Sequence, residues 1–98
     1  MEKKLILTSD LARAARALTK VSREIIGKAA GLTEQEVQFF EHGRIDLTPG
    51  QREALKAALE EYGALFIPED GRVGYGVRRR LTRDRYMKLN AWEGEGGA

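Results

Sequence analysis

The sequence predicts a mainly α domain of about four helices followed by a β-hairpin. Two observations carry that reading. Hydroxyl residues stand ahead of each helical apolar pattern, at Thr8 or Ser9, Ser22, Thr33 and Thr48, where a side-chain oxygen can take up open amides. Past Gly63 the texture changes to two short segments, ALFIP and YGVRRRL, around EDGRVG. With 98 residues, 42% of them hydrophobic, the chain has material for one small core. The expected organisation is a helical part over 1–63, a hairpin extension of the same domain over 64–81, and a C-terminal tail over 82–98.

The opening MEKKLIL is too short to assign, and Lys3 and Lys4 are too few to form a nucleic-acid arm. The first helix then follows Thr8 or Ser9, with Leu11, Ala14, Ala15 and Leu18 at the steps of one helical face. Ser22 opens a second helix, REIIGKAA, whose apolar positions are Ile25, Ile26 and Ala29, and Gly31 stops it. Thr33 and Glu36 make a capping box for a third helix, in which Val37 and Phe40 should face the core and which Gly43 ends. Thr48-Pro49-Gly50-Gln51 signals a fourth helix to about Tyr62, with Leu55, Ala58, Leu59 and Tyr62 as its core stripe and Gly63 at its close. Asp70-Gly71 favours a reversal, which pairs 64–67 with 75–81. Pro68 falls at a strand end, where its missing donor does little harm. In the tail, Tyr86, Met87, Leu89 and Trp92 are candidates for docking or dimer contacts.

Several function classes lose ground at once. No apolar run reaches membrane-spanning length and no signal-peptide pattern is present, so a soluble, cytoplasmic protein without membrane partners is expected. The absence of cysteine excludes disulfides and thiolate metal sites, and one histidine, His42, builds neither a zinc site nor a triad. No catalytic nucleophile, metal set or phosphate loop can be assembled, so no enzyme and no cofactor is expected. GRVGYG offers glycines but leads into an arginine strand, a poor dinucleotide loop. Net charge is only +2, yet residues 1–32 carry +4, 33–71 carry −6 and 72–98 carry +4. Two basic ends around an acidic middle could grip a polyanion, or form an ordinary mixed surface.

The second helix, the Gly31 turn and the third helix read as a helix-turn-helix. Gly27 lies four before Gly31, Val37 six after and Phe40 nine after. A small residue at 27 lets the helices approach, although glycine costs about 1 kcal/mol of helix propensity. Val37 and Phe40 lock the third helix to the core. The stretch LARAARALTKVSREIIGKAAGLTEQEVQFFEHGRIDLTPGQREALKAAL resembles the XRE, or lambda-repressor-like (Cro-type), helix-turn-helix DNA-binding family of bacteria and phages. Carrying the resemblance are the Ser22 opening, the AGLT turn at 30–33, the ExG ending at Glu41 to Gly43 and Thr48-Pro49, within residues 9 to 67, about 60% of the chain. The hairpin resembles an extension that replaces a short fifth helix in some members.

What the resemblance implies is a compact lambda-repressor-like domain in which Arg16 pairs with Glu41 inside the fold. Glu41 is then no obstacle to DNA, Glu36 serves the capping box, and Glu34 suits the positive end of the helix dipole. Gln35, Gln38, Phe39 and His42 would lie on the outward side. Glutamine can bond adenine bidentately and an aromatic edge can meet a thymine methyl. The candidate DNA-contacting set is Arg23, Lys28, Thr33, Glu34, Gln35, Gln38, Phe39, His42 and Arg44, with plain exposed surface the competing reading and a helix-end role the plainer one for His42. Arg78 and Arg80 share one strand face and are candidate phosphate contacts, or else they keep a sheet edge from sticking to other chains. Phe66, Val77 and Leu81 are the candidate dimer contacts.

The function expected is a sequence-specific double-stranded DNA-binding transcriptional regulator, a repressor acting as a homodimer. The alternative is a helix-turn-helix protein-interaction module, antitoxin-like or a phage accessory factor, with weak or no DNA binding. Glu34, Phe39 and the unassigned tail favour that second reading.

Overall fold

A computed structural model of the chain describes residues 5–82. Among them are four helices, α1 (Ser9–Thr19), α2 (Arg23–Ala30), α3 (Glu34–Glu41) and α4 (Pro49–Glu61), and two strands, β1 (Ala64–Ile67) and β2 (Gly76–Arg79). Expectations for Lys3, Lys4, Tyr86, Met87, Leu89 and Trp92 lie outside the described residues.

Each helix begins on a side chain that accepts from its first turn: Thr8 from Leu11, Ser22 from Ile25, Thr33 from Glu36 and Thr48 from Gln51. At α3 and α4 the capping box is closed in both directions, because Glu36 and Gln51 accept the N–H of Thr33 and Thr48, each at 2.9 Å. Gly31 turns α2 out at φ 75°, and the Leu32 N–H reaches the Gly27 carbonyl at 2.8 Å. One stop is not made by glycine: α1 ends on Lys20, held left-handed at φ 58° while its N–H bonds the Arg16 carbonyl.

The core gathers one stripe from each helix: Leu11, Ala12 and Ala15 of α1, Ile26 of α2, Val37 and Phe40 of α3, and Leu55, Ala58 and Leu59 of α4. Leu7, Val21, Leu32, Leu47 and Ala64 fill it from the connections and β1. Five positions expected in this core are elsewhere. Ala14 and Ala29 are exposed, Leu18 is half-buried outside the core, Ile25 is 49% exposed, and Tyr62 is 44% exposed just past the end of α4. An eight-residue helix makes little more than two turns, and the core takes one face of it; Ile26 occupies that face and turns Ile25 and Ala29 away.

The hairpin is antiparallel, with Ala64 opposite Arg79 and Ile67 opposite Gly76, so β2 is shorter than the expected 75–81. Asp70 builds the reversal by accepting from the N–H groups of Arg72 and Val73, both at 2.9 Å, with Gly71 at φ 90°. No helix among the described residues is long and apolar enough to cross a membrane.

Candidate nucleic-acid interface

The outward face of α3 is fixed from beneath. At Gly27 an added Cβ would lie 2.9 Å from the Leu32 carbonyl oxygen and 3.3 Å from both the Thr33 carbonyl oxygen and Val37 Cγ2. The absent side chain thus lets α2 rest on the turn and on the first half of α3. Val37 and Phe40 bury the inner face to within 2% of full burial. Phe40 also receives the Arg52 guanidinium over its ring, 5.9 Å from the centroid.

The far end of α3 is held by charge. Glu41 is 1% exposed and accepts Nε–H and Nη2–H of Arg16 at 2.7 and 3.2 Å, the two-toothed geometry a guanidinium offers a carboxylate. Its Oε1 also accepts Nε–H of Arg23 at 3.0 Å, and its backbone carbonyl accepts from Arg13 Nη1. One buried carboxylate therefore ties α1, α2 and α3 together. Arg16 was expected from the resemblance; Arg13 and Arg23 were not assigned to this cluster. A signal for Arg13 existed, since it sits three residues before Arg16 on the same stretch of helix.

With Glu41 withdrawn and Glu36 engaged in its cap, Glu34 is the one α3 carboxylate left exposed. Gln35 and His42 are exposed and Gln38 and Phe39 half-buried, and their spacing of three, four and seven puts them on one stripe. Thr33, Lys28 and Arg44 are exposed as well. Arg23 is 29% exposed and gives its Nε–H to Glu41, so a phosphate could be met by its Nη groups. The caps of α2 and α3 take up the N–H groups of Ile25 and Glu36, and the amides ahead of these lie in first turns, where a helix favours anions.

The hairpin candidates divide by strand face. Arg78 and Arg80 are exposed together. Phe66 and Val77 are half-buried against the core of their own chain, and Leu81 is half-buried beyond β2; the apolar side chains most exposed on the strands are instead Leu65 and Ile67, at 48% and 38%.

A contact not foreseen joins the hairpin to α1. Asp10 accepts the Tyr75 hydroxyl through both oxygens, at 3.0 and 2.9 Å, and also bonds the Thr8 hydroxyl and the Leu11 N–H. The Thr8 and Tyr75 hydroxyls hold the Asp10 carboxyl below its ordinary value. The N–H groups of Val73 and Arg72 do the same for Asp70. Among the described residues no cluster of three or more histidine, aspartate or glutamate side chains is placed to hold a metal ion. In comparison with known proteins, no family model matches the chain and no curated protein sequence does.

Proposed function

We propose that this chain is a lambda-repressor-like, XRE-type regulator that binds double-stranded DNA as a homodimer, with α3 as its reading helix. The observation that carries this reading is the stripe of Gln35, Gln38, Phe39 and His42 on α3, free of carboxylates, with Glu36 and Glu41 drawn away from it. In the major groove Gln35 and Gln38 meet adenine edges and Phe39 a thymine methyl. Lys28, Arg44, the Nη groups of Arg23 and the first amides of α2 and α3 set the register on phosphates. Glu34 accepts from a cytosine amino group. The homodimer forms through the hairpin, where Leu65 and Ile67 stand exposed on the face that also carries Arg78. Occupying a promoter is the simplest way such a dimer represses.

The test is an anisotropy titration of the full chain against a labelled duplex from upstream of its own gene, with a scrambled duplex beside it at low and moderate salt. Preference for the upstream duplex that survives added salt is expected. Gln35→Ala and Gln38→Ala should each remove about 1–3 kcal/mol of that preference, whereas Arg44→Ala should weaken both duplexes alike and lower the salt slope by about 1. Equal, salt-sensitive binding to both duplexes would remove the base-reading role.

One observation favours a second reading. Ile25, 49% exposed on α2, and Glu34, exposed at the start of α3, suit a protein partner better than a phosphate backbone. An antitoxin-like or accessory module would show weak or no duplex binding, and Phe39→Ala would then break a protein complex while leaving the fold intact.

A further inference from the structure

Beside the hairpin runs an open groove of about 550 Å³, floored by Ala14, Ala17 and Leu18 of α1 and walled by Tyr75, Gly76 and Val77. Its floor is a second apolar face of α1. Leu11, Ala12 and Ala15 turn into the core, while Ala14 and Ala17 are exposed and Leu18 is half-buried outside it. Two of the three floor positions are alanines, which leaves depth for larger side chains from elsewhere. A single charged residue, Asp10, lines the groove. Among the described residues the donors to its carboxylate are all neutral: the Thr8 and Tyr75 hydroxyls and the Leu11 N–H.

The chain itself carries a segment of matching chemistry. Beyond Thr82, the last described residue, the sequence reads RDRYMKLNAW over 83–92. Arg83, Arg85 and Lys88 stand there against one acid, Asp84, and the large apolar residues are Tyr86, Met87, Leu89 and Trp92. The reach suffices. Seven steps of chain separate Tyr75 from Thr82, so those two lie at most about 25 Å apart, whereas the ten steps from Thr82 to Trp92 can span about 33 Å.

We infer that residues 86–92 dock in this groove as an intramolecular strap, with Tyr86, Leu89 and Trp92 on the alanine floor and Lys88 at the Asp10 carboxylate. Burial of apolar surface that the core leaves outside drives the docking. The ion pair orients it, since the groove offers one charge and the segment brings the opposite sign. Tethering holds the segment beside the groove at a millimolar effective concentration, which a free partner of the same chemistry has to outcompete. Seated there, the strap spans the two elements that Asp10 and Tyr75 join, and it holds the hairpin to α1 more firmly than that contact alone. The inference does not depend on DNA binding, because no residue of α3 lines the groove.

Trp92 is the one tryptophan of the chain, so its fluorescence reports on this segment alone. The experiment follows its emission maximum and its quenching by acrylamide in the full chain, in buffer and in urea, over a range of protein concentrations. Shielded, blue-shifted emission in buffer is expected, independent of concentration and lost on unfolding. Ala17→Arg, at an exposed position on the floor, should bring quenching close to the unfolded level while leaving the helical content unchanged. Lys88→Glu lies outside the described fold and should lower the ratio of shielded to open Trp92 about twofold to fivefold, the range of an exposed ion pair. Lys88→Arg should preserve that ratio. Quenching in buffer equal to that in urea overturns the inference. So does shielding that either Ala17→Arg or Lys88→Glu leaves untouched, which would seat Trp92 on another surface or away from Asp10. Shielding that grows with protein concentration would make a second copy of the chain the source of the docked segment and overturn it equally.

Discussion

Glu41 and Asp10 each collect donors from more than one part of the chain, in opposite surroundings. Glu41 is 1% exposed, receives guanidinium groups from α1 and α2, and holds the end of α3. Asp10 is exposed, receives two hydroxyls and an amide, and holds the hairpin to α1. Water can replace the Tyr75 hydroxyl at Asp10 if the hairpin moves, and it cannot replace the donors to Glu41 without opening the core. The same acceptor chemistry therefore makes a fixed joint in one place and a releasable one in the other. The rigid joint lies under the proposed reading helix; the releasable one lies beside the open groove.

Breaking the buried joint should give the largest effect. Glu41→Ala leaves Arg16 and Arg23 facing each other without their anion. Removing one partner of a buried pair costs about 3–5 kcal/mol. The two guanidiniums keep 24% and 29% exposure and can recruit water, which places the expected loss near the lower limit. Against a total stability of roughly 5–15 kcal/mol this is a large shift of the urea midpoint, read at unchanged slope. A loss under about 1 kcal/mol would mean that the arginines turn to solvent and that packing alone fixes α3.

Next comes the approach of α2 to α3. Gly27→Ala gains up to about 1 kcal/mol of helix propensity. It also forces a methyl to 2.9 Å from the Leu32 carbonyl oxygen, a backbone atom held by the turn. Overpacking of this kind costs about 1–3 kcal/mol, so a net loss near 1 kcal/mol is expected in the same urea measurement. A gain in stability would show slack in the turn and weaken the contrast with the hairpin. Somewhat smaller is the cap of α3: Thr33→Ala removes the acceptor of the Glu36 N–H at an exposed site and should lower stability by about 0.5 kcal/mol. Combined with Glu36→Ala, the loss should fall short of additive, since the two side chains satisfy each other's amides.

Much of the helical part was legible because its signals are local. Thr8, Ser22, Thr33 and Thr48 each cap within three residues, and Gly31, Gly43 and Gly63 supply left-handed stops at positive φ. Lys20 was not readable as a stop, because nothing in a lysine announces a left-handed backbone. Apolar identity did not settle burial on short helices. Alanine carries too little apolar surface to declare its face, so buried Ala12 and exposed Ala14 look alike in the sequence. The hairpin and its Asp70 turn were legible in composition, but its attachment was not, since Asp10 and Tyr75 are 65 residues apart. In the candidate interface the outward stripe of α3 could be read once Glu41 was placed inward, and that placement came from the resemblance. Spacing alone did not give the convergence of Arg13 and Arg23 on Glu41, which three separate helices create.

The smallest effect belongs to the exposed joint, and its pH dependence sharpens the contrast. Tyr75→Phe removes the one hydroxyl donor that the two Asp10 oxygens share, while leaving the Thr8 and Leu11 bonds in place. At an exposed site this should cost about 0.5 kcal/mol, the low end for a single hydroxyl bond. Because Tyr75 helps hold the folded carboxyl below its ordinary 3.8, its contribution is fully present above that value. It should fade as pH falls through the lowered folded pKa, as protonation removes the anion that the hydroxyl prefers. The difference in urea midpoint between the native chain and Tyr75→Phe should therefore be flat from neutrality to about pH 5 and shrink below the unfolded pKa. Exchange of hairpin amides should quicken in the variant while those of α3 stay unchanged, because a releasable joint lets the hairpin open alone. If α3 amides quickened in step, the two joints would belong to one cooperative unit, and the groove beside β2 would open only when the whole fold does.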